Sequence, residues 1–240
     1  MKTADRPASS VQNLPGAFSL LEMLIAIAVL AILAALLVPT LRSVQERARS
    51  TECLSNVRQL HVAVMTLSNE ENGQLPLAVD AANNSASWGW YLLEGDYLPP
   101  LPPVSSGKRA RKHPLFDPGS KVTTTAYTAG SYGINRNLAG PLATSPVRTR
   151  IAAVPNPGQK FLIFCSGAYA ITRLQAAASG SPHLYLPGRS ANQSTEWPES
   201  SRRDAIEGRH GRKIHTISLA GGAETWNANE LPVTPDRWEK

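Results

Sequence analysis

The sequence predicts an α+β fold. A long N-terminal helix, apolar in its first half and amphipathic in its second, packs on a small antiparallel β-sheet domain with long loops. Three observations carry this. Residues Phe18 to Val38 form 21 positions without Lys, Arg, His, Asn or Gln and with one acid, Glu22. The following stretch keeps helical spacing of apolar and small residues to about residue 70. After Gly73 the texture changes to short β-type runs separated by Pro, Gly, Ser and Asn.

The apolar run comes first. At about 1.5 Å per residue, a helix of that length spans roughly 30 Å, enough to cross a bilayer. Glu22 is the anomaly, because a carboxylate in hydrocarbon costs on the order of 3 kcal/mol or more. Either Glu22 lies near the headgroups and stays wet, or the helix uses it. Residues 1–17 are polar and weakly basic, with Lys2 and Arg6 against Asp5, and end in the structure-breaking Pro15-Gly16-Ala17. A secretory signal has a shorter apolar core, with its small-residue cleavage site after that core. Here the small residues precede it. A signal anchor, or cleavage on the cytoplasmic side, fits better, and the leader's cations favour that side being the cytoplasm.

Pro39 ends the apolar run and is expected to kink a helix that continues through residues 39–72. Leu41, Val44, Ala48, Thr51, Leu54, Val57, His61, Val64 and Leu67 form its expected inner stripe, opposite Arg42, Glu46, Arg49, Glu52 and Asn56. His61 reads as a packed residue rather than a ligand. Glu70-Glu71-Asn72-Gly73 supplies the stop.

In residues 73–240, Trp88–Leu93 is aromatic-rich and expected to lie buried against the helix. Residues 99–121 read as a long exposed loop carrying Lys108, Arg109, Arg111 and Lys112. Such a cluster can hold phosphates, but no aromatic residue is interleaved for base stacking, so nucleic acid is not the expected partner. Tyr132–Asn135 suits a strand entering a turn, and Lys160–Cys165 is the best strand in the chain. Lys213–Leu219, a turn at Gly221-Gly222 and a second alternating run to Trp226 read as a hairpin. Residues 187–204 read as another polar loop.

Composition bounds the chemistry. The 240 residues leave room for one ordinary globular domain beyond the apolar segment, and the net charge of +6 permits acidic partners without demanding them. Cys53 and Cys165 are the only cysteines; a bridge between them needs an oxidising compartment, and two buried thiols is the plainer reading. No Ser-His-Asp, His-Glu-x-x-His or paired-carboxylate pattern is recognisable, and Cys165 is the sole candidate nucleophile. His210 and His215 fall on opposite faces if the whole stretch is extended, so both are expected to be structural. No catalytic residue, metal or cofactor is assigned.

Gly16-Ala17-Phe18-Ser19-Leu20-Leu21-Glu22 with the long aliphatic run behind it resembles the cleavage and methylation segment of type IV prepilins and type II secretion pseudopilins. The resemblance implies a pilin-like fold and cleavage by a prepilin peptidase between Ala17 and Phe18. It also implies N-methylation of Phe18, and a charge pair between Glu22 and the Phe18 amine of a neighbouring subunit. Family members usually place Gly directly before the cut, whereas here Ala17 intervenes. Cys53–Leu60, Asn69–Pro76 and Tyr132–Asn135 resemble one branch that carries a C-terminal His-x9-Asp-Gly element. Its counterpart here runs from His210 to Ala220-Gly221, so the Asp is replaced. The implied partners are the peptidase, other pilin or pseudopilin subunits and the inner membrane. The implied placement is a single-pass membrane protein with a periplasmic domain, extractable into a fibre. The alternatives are a signal-anchored periplasmic enzyme or binding protein, and a competence-type pilin that binds DNA through its basic loop.

Overall fold

A computed structural model describes residues 19–80, 86–101, 113–118, 132–140, 148–165, 170–171, 210–211, 213–227, 231 and 235–238. By its internal contacts the chain divides into two units, residues 1–44 and 45–240. Ala17 and Phe18, the basic positions 108–112 and residues 187–204 lie outside the described residues.

Helix α1 spans Leu20–Glu70 without interruption, Pro39 included. Its beginning is built by a reciprocal cap. The Leu21 N–H donates to Ser19 Oγ at 3.3 Å, and the Ser19 N–H donates to a Glu22 carboxylate oxygen at 2.9 Å. This is the Ser-x-x-Glu arrangement that satisfies donors left over at a helix start. Pro39 has no N–H to give, and the Thr40 hydroxyl next to it donates to the Leu37 carbonyl at 2.7 Å. In the first unit every described residue is exposed. In the second unit α1 buries Cys53, Asn56, Val57, Leu60, Ala63, Val64, Leu67 and Ser68. The inner face is therefore rotated from the expected stripe. Val57, Val64 and Leu67 face inward as anticipated, but Thr51 is exposed, Leu54 is half-buried, and Asn56 points in rather than out. A polar residue turned inward needs partners, and Asn56 has them: its amide donates to the Phe116 carbonyl at 3.3 Å and to the Tyr132 hydroxyl at 3.2 Å. The helix stops at Asn72 and Gly73, both at positive φ (55° and 75°), with the Gly73 N–H returning to the Ser68 carbonyl at 2.7 Å.

The second unit places this helix segment in one core with a sheet. Strands β1 (Val79–Asp80) and β2 (Ala86–Ser87) form a small antiparallel pair, and helix α2 (Trp88–Glu94) follows directly. The aromatic run is thus a short helix among the β-type segments, with Trp88 and Leu92 buried. The main sheet joins β3 (Tyr132–Asn135), β4 (Phe161–Cys165), β5 (Ala170–Ile171), β6 (Lys213–Ser218) and β7 (Ala223–Asn227) in the order β5-β3-β4-β6-β7. β3, β4, β6 and β7 are antiparallel in turn, and β5 adds a short parallel edge. Every residue of β4 is buried, as a central strand covered on both faces requires. A last short helix, α3, spans Pro235–Trp238.

The expected strand at Lys160–Cys165 and the hairpin through Gly221 are both present, with Gly221 at φ 91° in the turn. Asn135 closes β3 as anticipated: its side chain accepts from the Asn137 N–H at 3.0 Å and donates to the Phe161 carbonyl at 2.8 Å. A further expectation fails here. Within the stretch read as an exposed loop, His113–Asp117 is buried. Leu115 and Phe116 supply the apolar reason. The His113 ring anchors the turn by accepting the Leu115 N–H at 3.2 Å and meeting the Pro99 carbonyl at 2.7 Å.

Candidate functional site

The chemistry-bearing residues fall into two places. The first is the start of α1. Leu20, Leu21, Met23, Leu24, Ile25, Ile27 and the aliphatic positions through Val38 are about half to four-fifths exposed. Fully burying one such side chain is worth about 1.5–3 kcal/mol. A continuous helix surface of them is far larger than the apolar patches that monomers leave in water. Among the described residues this is the one helix long and apolar enough to cross a membrane. Glu22 sits in its first turn, held on the Ser19 N–H.

The second place is a buried polar cluster in the second unit. Cys53 comes from the inner face of α1, three residues before Asn56. Cys165 ends β4, directly opposite Tyr132 at the start of β3. His215 lies on β6, beside β4 in the sheet. His210 precedes β6, and Asp117 arrives from the buried turn after residue 113. His210 and His215 were expected on opposite faces. The chain is extended only from Lys213, however, and His210 and Gly211 take positive φ (47° and 61°). That turn brings the two imidazoles to 5.2 Å between ring centres.

The contacts are close. His210 Nε2 lies 3.1 Å from either Asp117 oxygen, and both side chains are fully buried. The Cys53 thiol points at Asp117 Oδ2 at 3.7 Å. The His215 N–H donates to Cys165 Sγ at 3.2 Å. Asn56 donates to the Tyr132 hydroxyl, which in turn bonds the Cys53 sulfur. Donor atoms of Cys53, Asp117 and Cys165 lie within 4.8 Å of one another, as do those of Cys53, His210 and His215. Both thiols are free and buried.

Electrostatics separates the two sulfurs. Burial is the main reason the Cys53 thiol is pushed well above its ordinary value, with the Cys165 sulfur and the Asp117 carboxylate adding to it. Cys165 is held below its ordinary value chiefly by its hydrogen-bond interaction with the neighbouring Cys53 thiol. Burial opposes that effect, while the neighbouring His210 and the His215 N–H reinforce it. Burial also raises the Tyr132 hydroxyl, keeping it a neutral donor. His215 is lowered to about 4, first by burial and then by His210, so it is neutral at physiological pH. Its ring nitrogens engage the Ser50 and Thr225 hydroxyls, each at 2.9 Å.

The sequence singled out Cys53, Cys165, His210 and His215 one by one, and the fold brings all four together. Asp117, Tyr132 and Asn56 were missed as members of this cluster; the local signal for Asp117 was the apolar Leu115-Phe116 pair beside it. Ala220 is exposed, and the carboxylate beside His210 is that of Asp117. Gly221 packs on His61, whose ring meets the Leu219 carbonyl at 3.1 Å. His61 is accordingly a packing residue of the hairpin turn. No family model matches the chain, and neither does any curated protein or solved structure.

Proposed function

We propose that the chain is a pilin-like structural subunit of a bacterial type II secretion pseudopilus or type IV pilus. It is inserted as a precursor in the inner membrane, cut and N-methylated at Phe18 by a prepilin peptidase, and assembled through α1 with its domain on the periplasmic side. The observation that supports this best is one helix doing two jobs. Its first half exposes an unbroken aliphatic surface behind a single carboxylate, and its second half is part of a folded core. An anchor alone needs no acid, whereas an assembly helix gains register from one. A free α-amino group, with pKa near ~8, is largely protonated at neutral pH, and pairing it with Glu22 neutralises both in a low-dielectric bundle.

The capping geometry supplies the discriminating experiment. Gln serves this type of cap as Glu does but carries no charge. Glu22→Gln should therefore leave helix formation and membrane insertion intact while reducing incorporation into fibres at least tenfold, scored by immunoblot of sheared fibres against total membrane protein. Incorporation at the level of the unmodified chain would show that Glu22 only caps the helix.

A further inference from the structure

We propose that Cys53, Cys165, Asp117 and His210 form a tetrahedral site for a thiophilic divalent cation, Zn2+ by chemical class, inside the globular unit. This goes beyond the assembly role and does not depend on it. Bonds of about 2.0–2.3 Å to sulfur, nitrogen and oxygen set the edges of a zinc tetrahedron at roughly 3.3–3.8 Å. The His210 Nε2 to Asp117 separation of 3.1 Å and the Cys53 Sγ to Asp117 separation of 3.7 Å are close to such edges already. Cys165 Sγ lies within 4.8 Å of the Cys53 and Asp117 donors, and a donor atom of His210 within 4.8 Å of Cys53, so binding would draw the four side chains inward by rotation.

The four donors come from four separate places: helix α1, the end of β4, the turn at Asp117 and the turn before β6. Two sulfurs, an imidazole and a carboxylate are a donor set suited to zinc and poorly suited to Mg2+ or Ca2+, which take all-oxygen shells. The surroundings are arranged to hold the ligands. The His215 N–H supports the Cys165 sulfur, and the Asn56–Tyr132 pair supports the Cys53 sulfur. His215 itself is a positioning residue, because its ring nitrogens engage Ser50 and Thr225. Binding displaces the two thiol protons and the proton on His210 Nε2 to solvent, and the dication, held by a neutral imidazole, two thiolates and one carboxylate, leaves a net charge of −1.

The test uses the full-length chain in detergent, purified under mild reduction, stripped with chelator and titrated with Co2+ and then Zn2+. The expected result is one equivalent of Co2+ per chain, with the thiolate charge-transfer band and the intense visible bands of a tetrahedral site, both abolished by one equivalent of Zn2+. Cys53→Ser and Cys165→Ser should each weaken or remove the thiolate band, and Asp117→Asn should lower affinity at least tenfold. The cobalt spectrum of the unmodified chain decides the matter even if a variant fails to fold. A pale octahedral spectrum, the absence of stoichiometric binding, or a mass of the protein as isolated showing the two thiols joined in a disulfide would each overturn the proposal.

Discussion

At the scale of the residue, the most consequential placement is Asp117. Its side chain is fully buried against His210, and removing one partner of a buried hydrogen bond to a charged group leaves the other unsatisfied, at a cost of about 1–3 kcal/mol or more. In chelator-treated protein, where no cation contributes, Asp117→Asn should lose on the order of 1–3 kcal/mol of stability, read from urea unfolding. A loss under about 0.5 kcal/mol would mean that the pair is not formed in the folded protein. Glu22 shows the same logic on the surface: the residue that looked misplaced in an apolar run has a local partner in the Ser19 N–H. Capping explains why a helix tolerates an acid at that position. It does not explain why the acid should precede so long an exposed apolar surface.

At the scale of the element, α1 shows where periodicity succeeds and where it fails. Spacing of three and four marked the helix and its stop at Asn72-Gly73, because both are properties of neighbouring residues. The buried face was misjudged by part of a turn. Small and polar residues such as Thr51 and Asn56 carry little apolar signal, and the side of Asn56 is decided by Phe116 and Tyr132, sixty or more residues away. The corrected face is open to test. Leu60 is fully buried whereas Val62 is 64% exposed, so Leu60→Ala should cost about 2–5 kcal/mol and Val62→Ala less than about 0.5 kcal/mol by urea unfolding. Similar costs for the two would contradict the assigned face. The strand at Phe161–Cys165 and the hairpin of β6 and β7 were legible for the same local reasons as the helix. The buried cluster was not, because His210, Asp117 and Cys53 meet only through the tertiary fold, and a turn at positive φ redirects His210.

At the scale of the whole molecule, the two units, residues 1–44 and 45–240, answer different physical demands. Among the described residues of 45–240, most apolar side chains are buried in a helix-and-sheet core. Residues 19–44 bury none of theirs and need lipid or other helices to cover them. On the proposed reading, such a chain serves first in a bilayer and then in a bundle of its own kind, its leader removed so that Glu22 meets a free amine. The central claim therefore comes down to the chemistry of one chain terminus. Intact-mass and peptide mass spectrometry of the protein recovered from membranes of cells producing a prepilin peptidase should find a chain beginning at N-methylated Phe18. A chain beginning at Met1 under the same conditions would contradict it.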